Sequence, residues 1–147
     1  MDIRREMPLL ARHEGEWDGT YTYVAADGTI TDRHRSHVRC SLSSEGNDYY
    51  QVNTYTWDDG RTEEHRFPGV YLGGGRCRFD TERIRGEFFE VDSAVIYLQW
   101  VYKAAEDIRL YELIVLSEDG KHRNRTWQWH RDGICFQRTL ITETRTL

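Results

Sequence analysis

Turn signals at regular intervals are the feature of this sequence that most constrains its fold. Short segments rich in Tyr, Thr, Val, Trp and Ile are separated by clusters of Gly, Asp, Asn and Pro at 26–28, 45–48, 58–60, 68–69, 73–75, 118–120 and 131–133. Such spacing is typical of an antiparallel meander. We therefore predict an all-β domain over residues 1–147, with about eight to ten strands closed into an up-and-down barrel or folded as a sandwich.

The N-terminal residues depart from this pattern. Pro8 followed by LLARHE predicts one or two helical turns, in which Leu9 and Leu10 form a small apolar plug. The segment GEWDG, residues 15–19, then leads into a first strand, TYTYV. A short N-terminal helix is therefore expected in front of the β-meander.

A short helix, a Gly-x-Trp motif and a meander of this length together resemble the calycin superfamily of lipocalin-like barrels. Gly15 and Trp17 match the motif. The resemblance implies that Trp17 lies at the floor of an up-and-down barrel and that an arginine from the last strand, Arg138 or Arg145, packs over it. The segments GEWDGTYTY, RTWQW and LITETR are most similar to a bacterial and plant family of calycin-type domains without an assigned activity, so the resemblance implies a fold more than a function.

Charge and composition exclude several partners. The net charge of −5 disfavours nucleic acid and anionic membranes, and no apolar run approaches the ~20 residues that span a bilayer. Cys40, Cys77 and Cys135 form no C-x-x-C pair, which indicates reduced thiols and a cytoplasmic location. The expected partner is a small molecule, and the chain is expected to be a monomer or a homodimer.

We predict no cofactor and no metal site. The sequence contains no Walker loop, no G-x-S-x-G and no H-E-x-x-H motif. His122 and His130 share a strand face but lie roughly 26 Å apart at ~3.3 Å per residue, too far for one metal ion. Haem-binding barrels of the nitrobindin type share the Gly-x-Trp-x-Gly start, but the last strand here offers no proximal histidine.

The stretch HRNRTWQWH, residues 122–130, places its Arg and Trp side chains on one face of a strand and its His side chains on the other. The strand before it, 108–116, carries Glu112 on a mostly apolar face. Turns with even loop lengths preserve the face from strand to strand, even if the register is wrong by two residues. We therefore predict that Glu112 faces the interior together with Arg123, Arg125, Trp127, Trp129, Ile134, Phe136, Arg138 and Leu140.

Three of these interior residues are charged. With four-residue loops Glu112 lies opposite Arg125, and Arg125 lies opposite Arg138, so the three form a polar row. A buried carboxylate needs a guanidinium, which leaves one arginine in excess, and that arginine favours an acidic or carbonyl-bearing ligand. The alternative is purely architectural: Arg138 packs over Trp17, and Glu112 pairs with Arg125.

Two histidines in the first half are candidates for proton transfer. In TITDRHRSHVRCSLS, residues 29–43, alternation places His34 inward beside Asp32, where a carboxylate can tune the imidazole pKa. His65 shares a face with Asn53, Tyr55 and Trp57 if the turn at 58–60 closes evenly. These side chains would line a cavity, but the opposite choice, with Tyr50, Val52, Thr54 and Thr56 inside, remains open.

The strand 94–103 has the same ambiguity. Its apolar face carries Ile96, Leu98, Trp100 and Tyr102, and its other face carries Tyr97, Gln99 and Val101. The apolar face is the preferred interior, which adds Trp100 to the cavity.

Two functions from different classes fit these residues. One is the binding of a small, partly apolar molecule with an acidic or carbonyl group, through Arg125, Arg138, Tyr55, Asn53, Trp57, Trp100, Trp127 and Trp129. The other is a cofactor-free isomerase, cyclase or lyase, in which Glu112, His65 or His34 moves a proton and Arg125 with Tyr55 stabilises negative charge. A structural or assembly protein that acts through its outer surface is a third interpretation.

Overall fold

The computed structural model describes residues 2–43 and 48–146, so the predicted turn at Glu45–Asp48 lies largely outside the described residues. The described residues form a closed antiparallel up-and-down barrel in which each strand pairs with its neighbours in sequence and the last strand pairs with the first. This confirms the predicted fold class and selects the barrel over the sandwich. The elements are α1 Ile3–Glu6, α2 Pro8–Arg12, β1 Gly15–Ala25, β2 Ile30–Leu42, β3 Asp48–Thr56, β4 Thr62–Gly73, β5 Arg76–Asp80, β6 Ile84–Glu90, β7 Val95–Tyr102, β8 Ala105–Leu116, β9 His122–Arg131 and β10 Ile134–Arg145.

The N-terminal helices pack against one end of the barrel. Pro8 begins α2, and Leu9 and Leu10 are both buried, as the sequence predicts. The helix α1 was not predicted; its N-terminus is capped by the side chain of Asp2, which accepts a hydrogen bond from the backbone N–H of Arg4. These helices cover the end of the barrel at which β1 begins, because the polypeptide enters β1 three residues after α2 ends.

Trp17 forms the floor of the barrel at that end. It is fully buried, and its indole N–H donates to the carbonyl oxygen of His13 over 3.0 Å. The guanidinium of Arg145 lies 4.3 Å from the ring centroid, and that of Arg123 lies 4.6 Å from it. Arg145 also donates to backbone carbonyl oxygens of the α2–β1 connection and of Gly120. Of the two predicted candidates, Arg145 is therefore the arginine over the tryptophan.

The predicted faces of β8 and β9 are confirmed. Glu112 pairs with Trp127 rather than with Arg125, so the register is shifted by two residues from the expected one. Because side chains alternate with a period of two, this shift leaves the same residues inside. Glu112, Arg125 and Trp127 are all buried.

The predicted interior face of β10 is wrong: Ile134, next to the turn, is 71% exposed, and the alternation reverses after Phe136. The hairpin closes with a two-residue turn at 132–133, but a β-bulge lies between Cys135 and Gln137, where Phe136 has no partner in register. One extra residue reverses the alternation of every position that follows. Arg138 is therefore exposed on the outer surface, as is Leu140, and Glu143 is buried instead.

Candidate ligand-binding site

A cavity of about 140 Å³ lies inside the barrel. Aromatic rings form much of its wall, and polar side chains from β2, β3, β4, β8 and β9 are grouped among them. The volume is close to that of a cavity that accepts a benzene ring, roughly 150 Å³. Nine of the predicted site residues line it: His34, Asn53, Tyr55, Trp57, His65, Trp100, Glu112, Arg125 and Trp127.

Two predicted site residues do not line the cavity. Arg138 lies on the outer surface, because the β-bulge reverses the alternation of side chains along β10. Trp129 is half-buried; its ring stacks on Tyr102 at 5.7 Å, and its indole N–H donates to the hydroxyl of Thr139 over 2.9 Å. It supports a cavity wall through Tyr102 instead of contributing to the lining.

Glu112 and Arg125 form a buried ion pair beside the cavity. Arg125 Nε lies 3.0 Å from Glu112 Oε2, and both side chains are 4% exposed. The two atoms are not aligned for a hydrogen bond, so the attraction between them is mainly Coulombic. Arg125 instead donates through Nη2 to the hydroxyl of Tyr21. The pairing that the sequence predicts is present, although the two residues are not directly opposite each other.

A second buried pair removes the predicted excess of positive charge. Arg123 Nε lies 2.7 Å from Glu143 Oε1, and Arg125 Nη1 lies 3.7 Å from Glu143 Oε2. Among the described residues, the buried charged side chains are therefore two arginines, Arg123 and Arg125, and two carboxylates, Glu112 and Glu143. The expectation of a surplus interior arginine is wrong, because it depended on Arg138 facing inward.

The two buried carboxylates have opposite pKa shifts. Burial raises the pKa of Glu112, and the attraction of Arg125 only partly offsets that effect. Burial also acts to raise the pKa of Glu143, but Arg125 and Arg123 together outweigh it and leave the pKa below its ordinary value. Of these two buried carboxyl groups, Glu112 is thus the one that takes up a proton more readily.

His34 is enclosed by aromatic rings and oriented by a carboxylate, as the sequence predicts. Its Nδ1 lies 3.0 Å from Asp32 Oδ2, and its ring stacks on Tyr21 and lies 4.4 Å from Trp57. Asp32 also accepts a hydrogen bond of 3.0 Å from the indole N–H of Trp57. If Nδ1 donates to Asp32, the Nε2 atom keeps its lone pair, which is the arrangement required of a general base.

The ambiguity on β3 is resolved in favour of the polar face. A chain of hydrogen bonds runs along it: the Tyr49 hydroxyl donates to Gln51, Gln51 donates to Asn53, and Asn53 donates to Tyr55, with distances of 2.7–2.9 Å. His65 on β4 is less buried; its Nε2 lies 3.2 Å from Glu63 Oε2. On β7 the preferred apolar face, which includes Trp100, is the interior one.

Comparison with known proteins gives the family. Residues 5–147 match the family model described as "Domain of unknown function (DUF3598), N-terminal". The chain belongs to the DUF3598 family. No curated protein matches it.

Solved structures similar to this DUF3598 chain show the fold alone, because their sequence identity is low. A DUF3598 protein from Nostoc punctiforme has a TM-score of 0.70 and 19% identity, over 93% of this chain and 49% of that chain. This chain thus spans about half the length of that relative. The S-type phycobiliprotein lyase CPES from Guillardia theta has a TM-score of 0.74 and 11% identity, over 100% of this chain and 94% of that chain. Rv2717c from M. tuberculosis has a TM-score of 0.69 and 12% identity, over 97% of this chain and 98% of that chain.

Sequence reasoning missed two interior residues of this DUF3598 chain that hold the site together. Tyr21 accepts the hydrogen bond from Arg125 and packs against His34 and Tyr55. It could have been found, because Tyr21 has the same parity as Trp17 on β1, and the resemblance already placed Trp17 inside. Glu143 was not predictable in the same way, because its inward position depends on the β-bulge.

Three further findings concern the described residues only. They contain no group of three or more His, Cys, Asp or Glu side chains arranged to hold a metal ion. None of their helices has the length and apolar character needed to cross a membrane. The cysteines Cys40, Cys77 and Cys135 are all free thiols.

Proposed function

We propose that this DUF3598 chain binds a small, partly apolar molecule in the barrel cavity, with its ring-bearing part between the aromatic walls and an acidic or carbonyl group near Arg125. The observation that supports this most directly is the combination of an aromatic cavity of about 140 Å³ with a buried Glu112–Arg125 pair in its wall. Sites for small molecules are typically apolar with a few polar groups that fix orientation.

Unpartnered polar atoms support a polar group on the ligand. Among the described residues, His34 Nε2 is buried without a hydrogen-bond partner. Trp127 Nε1 is close enough to Glu112 to lower the pKa of that carboxyl group but is not aligned for a full hydrogen bond, and both residues line the cavity. Leaving a buried polar group unpaired costs about 1–3 kcal/mol. A ligand that accepts from Trp127 and donates to His34 would recover that free energy.

The fold and the floor of the barrel support membership of the calycin superfamily. Trp17 is covered by Arg145, as the resemblance implies, and the chain closes as an up-and-down barrel. One similar structure, from Guillardia theta, is named a phycobiliprotein lyase. Its low sequence identity shows the fold alone and transfers no residue role.

The binding proposal is tested by native mass spectrometry of the purified protein, followed by fluorescence titration with the molecule that co-purifies. Trp100 and Trp127 line the cavity, so binding is expected to change the intrinsic tryptophan emission. Arg125→Met is expected to weaken binding at least tenfold, whereas Arg138→Met, on the exposed surface, serves as the matched control and leaves affinity unchanged. Equal effects of the two substitutions, or a cavity that never takes up a small molecule, would refute the proposal.

A second candidate function is proton-transfer chemistry in the same cavity, as in a cofactor-free isomerase, cyclase or lyase. The raised pKa of Glu112 favours it, because burial keeps a proton available there at higher pH than for an exposed carboxyl group. Glu112→Gln and His65→Ala separate the two functions. Loss of turnover with retained ligand affinity supports an enzyme, whereas loss of affinity in a protein without turnover supports a binding protein.

A further inference from the structure

A second, smaller chamber lies between the cavity and the barrel floor. It has a volume of about 30 Å³, and we call it the floor chamber. Its polar lining includes His13, Arg123 and Arg125, and its apolar lining includes Leu10 and Phe88. Five side chains line both the main cavity and the floor chamber and form the partition between them: Gln51, Phe79, Leu98, Ile114 and Arg125.

The hydrogen bond between His13 and Arg123 fixes the tautomer of the histidine. His13 Nδ1 lies 3.1 Å from Arg123 Nη1. An arginine only donates hydrogen bonds, so Nδ1 must accept, and the proton of the neutral imidazole must lie on Nε2. Burial lowers the pKa of His13 well below its ordinary value, and the positive charges of Arg123 and Arg145 lower it further, which keeps the ring neutral.

The Nε2–H of His13 is therefore a buried donor that lacks an acceptor among the described residues. The residue is 1% exposed, and Nε2 has no hydrogen-bond partner. The other polar groups of the floor chamber do not supply one. Arg123 and Arg125 are donors, while the Tyr49 hydroxyl and the Gln51 amide are engaged with each other and with Asn53.

Charge around the floor chamber also favours an acceptor. Four arginines, Arg123, Arg145, Arg125 and Arg12, lower the pKa of His13. Arg123 and Arg125 are neutralised by Glu143 and Glu112, but Arg145 and Arg12 form no ion pair with any of the described residues. A volume of about 30 Å³ accommodates roughly two water molecules, at ~10–15 Å³ each. The two oxygens of one carboxylate occupy about the same space as two water oxygens, so the floor chamber is large enough for a carboxylate.

We propose that the floor chamber is a second subsite that holds a carboxylate at the end of a flexible tail, while the ring-bearing part of the same ligand lies in the main cavity. The inference rests on the proposed function, since the tail enters from the main cavity past the partition. Arg123 precedes Arg125 by two residues on β9 and lies on the side of the barrel floor. At ~3.4 Å per residue, the carboxylate is therefore roughly 7 Å nearer the floor than Arg125. The ligand class is therefore an aryl-alkanoic acid.

The test uses ω-aryl alkanoic acids of increasing tail length, with the matching ω-aryl alcohols as neutral probes, and tryptophan fluorescence as the readout. At the best tail length we expect the acid to bind about tenfold more tightly than its alcohol, because a hydrogen bond to a charged acceptor is stronger than one to a neutral acceptor. His13→Leu is expected to reduce this preference to less than threefold while alcohol affinity is retained. His122→Leu, which changes an exposed histidine, is the control and keeps the full preference.

Long-range ¹H–¹⁵N NMR of the wild-type protein provides a measurement that does not depend on whether His13→Leu folds. The expected pattern is an unprotonated Nδ1 and a protonated Nε2 for His13, with an Nε2 shift that moves when the acid binds but not when the alcohol binds. The opposite tautomer, or equal affinity for acid and alcohol with an unchanged His13 signal, overturns the floor subsite while the main-cavity function stands. If neither series binds and no small molecule co-purifies, both proposals are overturned.

Discussion

Glu143→Gln is expected to be among the most destabilising single substitutions that preserve side-chain volume in this chain. Glu143 is 1% exposed and neutralises Arg123 at 2.7 Å and Arg125 at 3.7 Å. Gln has nearly the same shape, so the change creates no cavity, but it leaves two buried guanidinium groups with only Glu112 as a counter-ion. Breaking a buried pair in this way costs about 3–5 kcal/mol.

The matched control is Glu64→Gln. Glu64 Oε1 lies 2.7 Å from Arg66 Nη2, the same distance as in the buried pair, but the two side chains are 48% and 63% exposed. Surface pairs of this kind contribute about 0–1 kcal/mol. The two substitutions therefore compare burial at constant distance.

Urea unfolding followed by circular dichroism measures both effects. With m-values of about 1–3 kcal/mol/M, Glu143→Gln lowers the midpoint by at least 1 M, and Glu64→Gln changes it much less. The pKa of Glu143 is lowered in the folded state, so its contribution is present above the unfolded pKa of about 4.3 and is lost as the pH falls through the folded pKa. Equal midpoint shifts at pH 7, or a deficit for Glu143→Gln that does not shrink in acid, would refute the reasoning.

Three further expectations concern the floor, the surface and a close strand contact. Arg145→Lys should cost about 2–3 kcal/mol in thermal or urea unfolding, because a lysine cannot replace its fork of donors, while Arg138→Lys on the outer surface should cost under about 0.5 kcal/mol. In an NMR titration, His37 should have a pKa above its ordinary value, because Asp18 forms a hydrogen bond with its ring, and Asp18→Asn should lower that pKa. The small stabilising effect of this pair is present below pH ~6.5 and is lost as the pH rises through the folded pKa of His37. Gly86→Ala should destabilise by about 1–3 kcal/mol and alter tryptophan emission, because an added Cβ would overlap the facing strand β7.

Local sequence features were sufficient to predict the fold class. The segments between the turn clusters are rich in Tyr, Thr, Val, Trp and Ile, which favour strands, and most of the clusters are turns in the structure. Pro8 begins a helix as expected, and Trp17 lies at the floor. The helix α1 was missed because it is only four residues long and has few helix signals beyond its Asp2 cap.

The interior faces were predictable wherever alternation was unbroken. Glu112 and Arg125 were placed correctly even though the register was wrong by two residues, because a shift of two does not change the face. Alternation alone does not decide the face of β3, and it only favours the apolar face of β7, since a loop of odd or even length changes the parity. Tertiary contacts resolve them: Asn53 donates to Tyr55 inside the barrel, and Trp100 packs edge-on against Trp127.

A single bulged residue determines the charge balance of the interior. Without the extra residue Phe136, alternation would place Arg138 inside and Glu143 outside, and the interior would hold three arginines and one carboxylate. With it, Glu143 faces inward and pairs with Arg123. A bulge is a backbone feature with weak sequence signals, so alternation alone cannot detect it. The ligand chemistry therefore has to be inferred from buried polar atoms without a partner among the described residues, such as His13 Nε2, and not from an additional interior arginine on β10.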